Sequence, residues 1–353
     1  MYLKTRDDMH INLRSMMGYN KKFNFCVSAR EAGKSTSAIL DLVWSAYKKG
    51  RPSIVLRRDI ADITDDYIQS FADIINDFTD ANIELTYKKT EISKGVFTIY
   101  VKGDDKPFIR LIAMKVKKTR FKSTTLPNVK YIIFDEFLPD TTLGEGYVKG
   151  ETNKFSEILK TYKRESPDIK CIFLGNVYTL YSPYISELTT INPYNLKPGD
   201  IATSDEAIVW YYKLDPRLVD YIRKRDPEFI DETFDKYCVE GLAVNDEQIR
   251  IVNKFPQNFK LSLIFKFNRK FIMCYRGVND DYSWWVDVQA RPDIGKRRDV
   301  YCIDWNDMNQ GYIFLEGVER DYFYSIKKAL QFYDVVYSTP EGFYLLQQIY
   351  NQL

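Results

Sequence analysis

A chain of 353 residues with 45% hydrophobic and 28% charged composition can bury a sizeable core and, at about 150 residues per domain, suggests roughly two domains. Its formal net charge of +2 balances 51 basic against 49 acidic side chains, so any nucleic-acid affinity has to come from a local patch rather than from the field of the whole molecule. With His10 as the single histidine and Cys26, Cys171, Cys238, Cys274 and Cys302 scattered along the chain, histidine triads, His-rich metal centres and C-x-x-C zinc sites are disfavoured.

The cysteines read as buried thiols in a reducing cytoplasm. The charged opening MYLKTRDDMH is not a signal-peptide pattern, and no apolar run approaches the ~20 residues that span a bilayer. A cytosolic protein without a membrane partner is the expectation. Chemistry must then rest on carboxylates, lysine and arginine.

From Phe23 to about Asn176 short apolar, β-branched runs alternate with amphipathic stretches, the pattern of a mainly parallel sheet covered by helices. FNFCVS is the first strand. The segment Ser28-Ala-Arg-Glu-Ala-Gly33-Lys34-Ser35-Thr36 follows it and opens a helix, on which Ile39, Val43 and Tyr47 recur at helical spacing before a stop at Gly50. A strand, a loop ending in Gly-Lys-Ser and a helix form a phosphate-binding loop: backbone amides surround the phosphates, Lys34 reaches the β- and γ-phosphates, Gly33 permits close approach, and Ser35 offers a hydroxyl to Mg²⁺. Thr36 is a possible helper. Ser28 stands where the pattern has glycine, which slightly weakens the match.

SIVLRR, next in order, is the second strand, ending in Arg57 and Arg58, which read as facing DNA or an adjacent subunit. ELTYKK, VFTIYVK and FIRLIAM, separated by turns at Lys94-Gly95 and Gly103-Asp104, read as a meander beside the parallel core. Lys115, Lys117, Lys118, Arg120 and Lys122 then crowd into one stretch, either a contact for DNA phosphates or a solvated loop. VKYIIFDEF ends an apolar strand on Asp135-Glu136, where Asp135 would hold Mg²⁺ through water and Glu136 would polarise the water attacking the γ-phosphate. Asn176, after IKCIFLG, is either a γ-phosphate sensor on a neighbouring strand or a turn former. No N-K-x-D guanine-reading segment is present, which favours ATP over GTP.

Beyond Asn176, Pro183, Pro193, Pro198 and Gly199 mark irregular chain, with one further strand possible from Ala207 to Leu214. A charged stretch of short helical patterns follows from Asp215 to about Glu247. KLSLIFKFN, KFIMCYRG, YSWWVDV and DVYCIDW are strands of a second, β-rich domain that closes with helical pattern near Tyr344 to Tyr350. The expected domains are residues 1–205, a linker or helical subdomain over 206–247, and 248–353.

SAREAGKST, YIIFDEF and CIFLGN, in a chain of this length with a β-rich C-terminal region, together resemble the DNA-packaging ATPases of phi29-like phages. The resemblance implies an additional-strand P-loop ATPase domain of the terminase type, a linker, and an RNase H-like C-terminal domain with a vestigial nuclease site. It implies a homomeric ring, of five subunits, that uses ATP and Mg²⁺ to drive double-stranded DNA through the portal of a viral procapsid in the host cytoplasm, with a structural RNA as a further candidate partner. Two arginines gain roles from it. Arg30 matches the arginine that packaging motors carry within the P-loop, and Arg164, in LKTYKRES, matches the arginine that enters a neighbouring subunit's site. Two rival readings remain open: a large-terminase-like enzyme that also cuts DNA, with Asp287 and Asp304 as candidate metal-holding carboxylates, and a non-catalytic factor that uses ATP only to fix its shape.

Overall fold

The computed structural model describes residues 8–87, 95–115, 126–140, 146–148, 150–180, 182–225, 235, 239–243, 249–252, 254–267, 269–278, 283–293, 299–303, 305–318, 320–331 and 335–350. They fall into two compact units, Met1–Val244 and Asn245–Leu353.

In the first unit, β1 (Phe23–Ser28), β2 (Ser53–Arg57), β3 (Leu85–Tyr87), β4 (Val96–Val101), β5 (Pro107–Ala113), β6 (Tyr131–Asp135), β7 (Lys170–Asn176), β8 (Ile201–Thr203) and β9 (Ala207–Tyr212) form one sheet in the order β3-β4-β5-β2-β6-β7-β1-β9-β8. From β5 to β9 all neighbours are parallel. The expected meander, β3 to β5, adds antiparallel strands at one edge, and β8 caps the other. The parallel strands are almost wholly buried, as continuous apolar runs covered on both faces must be. β7 lies between β1 and β6, so the strand feeding the Gly-Lys-Ser loop and the strand ending in Asp135 are not neighbours. This is the additional-strand arrangement.

The first unit runs past residue 205, the expected end of the first domain. β9 covers the free edge of β1 in parallel register from Phe23↔Ala207 to Ser28↔Tyr212. The helix Pro216–Arg225 then returns to the loop after β1, where Leu218 and Ile222 pack with Ala29 and Ala32. Burial of that apolar face ties this helix to the first unit.

Two helices shape the cleft above the strand ends. The helix opening at Lys34 continues through a π-helical stretch, Ala38–Trp44, to Ser45–Tyr47, and the chain turns at Gly50 with φ 71°. Asp65–Phe78 is capped by the Thr64 hydroxyl, which accepts from Tyr67 N at 3.1 Å, and buries Ile68, Phe71, Ala72 and Ile75 at helical spacing. Below, aromatic rings fix the Asp135 strand end. Phe25 stacks on Phe173 at 4.4 Å, and Phe137 meets both rings edge-on at 5.7 Å.

In the second unit three of the strands expected from the sequence, β10 (Phe259–Phe267), β11 (Lys270–Gly277) and β12 (Trp284–Gln289), form an antiparallel meander. β13 (Tyr301–Cys302) runs parallel to β10, β14 (Ile313–Phe314) parallel to β13, and β15 (Val335–Tyr337) parallel to β12. The six strands lie in the order β15-β12-β11-β10-β13-β14; the five from β12 to β14, three antiparallel and then two parallel, follow the order expected of an RNase H-like sheet, and β15 adds a sixth strand beside β12. The helix Pro340–Tyr350 buries Leu345, Leu346 and Ile349. Cys26, Cys171, Cys274 and Cys302 are free and buried, and burial pushes the Cys26 thiol up to about 12.

Packing at Gly175, on β7, leaves no room for a side chain: a Cβ there would sit 2.9 Å from the Phe137 ring and 3.0 Å from Leu138. Gly175→Ala should therefore destabilise the protein by about 1–3 kcal/mol through overpacking. Thermal denaturation checks this, and an unchanged midpoint would show that the Phe137 turn yields freely.

Candidate functional site

The loop between β1 and its helix folds as the sequence predicts. Gly33 is left-handed, with φ 76°, immediately before the first helical turn, and Glu31 also takes a positive φ of 58°. Ser28, at the position usually held by glycine, is not among the described residues with positive φ. Its buried hydroxyl donates to Ala29 O at 2.8 Å and accepts from Lys34 Nζ at 2.7 Å. A serine therefore fits there because the opening turn does not require a left-handed residue, and its hydroxyl serves the lysine.

Lys34 Nζ also donates to Ala29 O at 2.9 Å and to Asn176 Oδ1 at 3.0 Å. Register pairs Ser28 with Asn176 across β1 and β7, so the polar strand end lies beside the loop. Burial lowers the Lys34 ammonium from its ordinary range to about 8, against the opposing pull of Cys26, Asp135 and Glu136. Ser35 is exposed, and its hydroxyl donates to Asp135 Oδ1 at 3.1 Å. A hydroxyl and a carboxylate converging in this way are the hard oxygen donors that suit Mg²⁺. Thr36 follows in the same turn, half-buried.

Glu136 follows β6 with φ 58°, a left-handed conformation uncommon for a residue with a side chain. Its carboxylate is 56% exposed and is paired with Arg57, whose Nη2 lies 2.6 Å from Glu136 Oε2 while Nη1 lies 3.3 Å from Asp135 Oδ2. Arg57 packs over the Tyr67 ring. From the sequence, Arg57 and Arg58 could equally face DNA or an adjacent subunit; the structure turns both inward. Arg58 is buried, donates to Glu136 O at 3.1 Å and Phe137 O at 2.7 Å, and pairs with Glu151. Register explains the miss: Leu56 pairs with Phe134, so Arg57 must flank Asp135, but a strand order cannot be read from one sequence.

The remaining expected residues lie further out. Arg30 donates through Nη2 and Nε to the Tyr178 hydroxyl and lies 3.5 Å from Asp140. Arg164 caps the end of the helix Glu151–Lys163 and is exposed. That end precedes β7, whereas Asn176 terminates β7 at the opposite edge of the sheet, so the seven residues of β7, roughly 20 Å of strand, separate Arg164 from its own loop. Lys115 is exposed and ion-paired with Asp59; Lys117, Lys118, Arg120 and Lys122 lie outside the described residues, as does Asp304. Asp287, on β12, accepts from Ser338 Oγ at 2.5 Å and Gln289 Nε2 at 2.7 Å.

A phosphate at this loop would be held best while Lys34 is charged. A triphosphate seated there is expected to lose affinity as pH rises through about 8, by up to about tenfold per pH unit, because binding must then return a proton to the lysine. Fluorescent-nucleotide titrations across that range test this. Lys34→Arg, which does not titrate there, should abolish the slope; a wild-type affinity that stays flat would contradict it.

The chain as a whole is similar to several known proteins. The family model described as the Podovirus DNA encapsidation protein (Gp16) matches residues 6–337. The DNA packaging protein of Bacillus phage phi29 is 22% identical over 316 residues, covering 88% of this chain and 87% of the relative. That of Bacillus phage B103 is 24% identical over 318 residues, covering 87% and 89%. The solved structure of the bacteriophage Phi-29 viral genome packaging motor assembly aligns with a TM-score of 0.64 at 19% identity, over 98% of this chain and 99% of that one. The Phi-28 gp11 DNA packaging motor aligns at 0.61 and 16% identity, over 96% of both. These two structures share the fold across both units. The family match spans nearly the whole chain, and the chain therefore belongs to the podovirus DNA encapsidation protein (Gp16) family, the DNA-packaging motor proteins of phi29-like phages.

Proposed function

We propose that this packaging protein hydrolyses ATP with Mg²⁺ at the loop Ser28–Thr36 and works as a homomeric ring, of five subunits, that drives double-stranded DNA through the portal of a procapsid in the host cytoplasm. The observation that carries the proposal is the convergence of Lys34, Ser35, Asp135, Glu136 and Asn176 at the ends of β1, β6 and β7. A phosphate chain would be held by the loop amides and the helix N-terminus, with Lys34 exchanging its Asn176 bond for a phosphate oxygen. Ser35 and Asp135 would hold the ion, which when bound neutralises charge on the phosphates. Glu136 would orient and polarise the attacking water once its carboxylate leaves Arg57. Arg30, inside the loop, can reach either phosphate or the Tyr178 hydroxyl it now holds.

Arg164 would complete the neighbour's site rather than its own. Its separation from its own loop by the length of β7 supports this, and an arginine supplied in trans to a γ-phosphate is typically worth about 10³ to 10⁵ in rate. The basic run Lys115 to Lys122 is proposed to meet DNA phosphates without reading sequence, since a motor must pass the whole genome. The portal and a structural RNA are proposed partners of the assembled ring.

Glu136→Gln should bind ATP normally and lose most hydrolysis, because an amide keeps the shape but does not polarise water; Arg164→Ala should also bind ATP and fail to hydrolyse it. Mixing the two inactive proteins tests action in trans, because some mixed interfaces pair an intact Glu136 with a neighbour's intact Arg164. Recovered turnover is expected. Continued inactivity in demonstrably mixed rings would return Arg164 to a surface charge.

A further inference from the structure

The Glu136 carboxylate is useful only if it points at the phosphates, and its direction is set by an unusual backbone. Glu136 holds a φ of 58°, a conformation that persists in a non-glycine only where the surroundings over-determine it. Three contacts do so. Phe137 N donates to Leu174 O at 3.1 Å, tying the turn to β7. Gly175 lets the Phe137 ring close down on that strand. Arg58 holds the other side, donating from Nη1 to Glu136 O and from Nη2 to Phe137 O.

The Arg58 guanidinium is itself locked. Its Nε lies 3.2 Å from Glu151 Oε2 and Nη2 lies 3.3 Å from Oε1, and its plane sits over the rings of Phe134 and Tyr147 at 5.5 and 5.4 Å. Glu151, only 3% exposed, also accepts from Tyr184 Oη at 3.0 Å and Val148 N at 2.7 Å. A buried ion pair of this kind is weak evidence for stability, because well-packed apolar residues of the same volume usually do as well or better. Stability alone therefore gives no reason to place a charge pair behind Glu136. Position does: the planar fork reaches two successive carbonyls in fixed geometry, which neither an apolar side chain nor a lysine reproduces.

We propose that Arg58 and Glu151 are positioning residues for hydrolysis, holding the Glu136 peptide in its left-handed conformation so that the carboxylate faces the γ-phosphate. This rests on Glu136 being the group that polarises water. The pair acts on the backbone of Glu136, whereas Arg57 acts on its side chain, so the two consecutive arginines of the β2 end restrain one residue from both directions.

The full-length double variant Arg58→Met/Glu151→Met tests the proposal, since it removes both charges together and strands neither. It should stay folded, melting below the wild type because Tyr184 Oη and Val148 N lose their acceptor, and keep its KM for ATP within about a factor of two, while kcat falls about 100-fold through misplacement of Glu136. A crystal structure of the variant should show Glu136 out of the left-handed region. A variant with wild-type kcat, or with the Glu136 backbone unchanged, would overturn the proposal. If the double variant does not fold, Arg58→Lys, which keeps the charge but lacks the fork, should lower kcat about tenfold at unchanged KM, and a wild-type kcat there would overturn it as well. Should the wild type itself not hydrolyse ATP, the reading of Glu136 as the water-polarising group falls, while the backbone of Glu136 in the variant structure still decides whether the pair positions it.

Discussion

The intercalation of β7 between β1 and β6 is the constraint on which the rest of the site depends. Parallel strands end on the same edge of a sheet, so three neighbours bring Lys34, Asn176 and the Asp135-Glu136 pair into one cleft without any long-range loop. The extra strand also spaces the lysine from the acids. With β7 between β1 and β6 the Lys34 ammonium rests on Asn176, and Ser35 from the first helical turn reaches Asp135. A neutral amide is the partner a lysine gives up most easily, because charged pairs bind more strongly than neutral ones.

Charge around the acids is organised by β2. Arg57 pairs with the side chains of both Asp135 and Glu136, and Arg58 with Glu151 holds the turn behind them. Glu151 begins the helix that ends at Lys163, and Arg164 caps its far end. One rigid element of 13 residues, about 20 Å long, therefore carries at one end the anchor of Glu136's own peptide and at the other the arginine proposed to serve the adjacent subunit. In a ring, that geometry would let contact at one interface bear on chemistry at the next.

Much of this was legible in the sequence because it is local. The loop Ser28–Thr36, the apolar strand ending at Asp135 and the strands β10 to β12 are contiguous patterns whose periodicity fixes them. What was hidden depends on strand order or on distance in sequence. Arg57 and Arg58 look like surface charges until β2 is known to lie beside β6, and Glu151 lies 93 positions from the arginine it pairs with. β14, of two residues, and β15, of three, are too short to show alternation, and β9 joins the first sheet through a pairing that no local signal announces.

The central claim is that the cleft at the ends of β1, β7 and β6 is a nucleotide site in which Lys34 and Glu136 exchange protein partners for phosphate and water. A structure with Mg²⁺ and a non-hydrolysable ATP analogue tests it most directly. The analogue is predicted on the loop Ser28–Thr36, with Lys34 Nζ moved from Asn176 to a phosphate oxygen and the Glu136 carboxylate released from Arg57 toward the terminal phosphate. An analogue bound elsewhere, or bound there with Lys34 and Glu136 still on their present partners, would contradict the account.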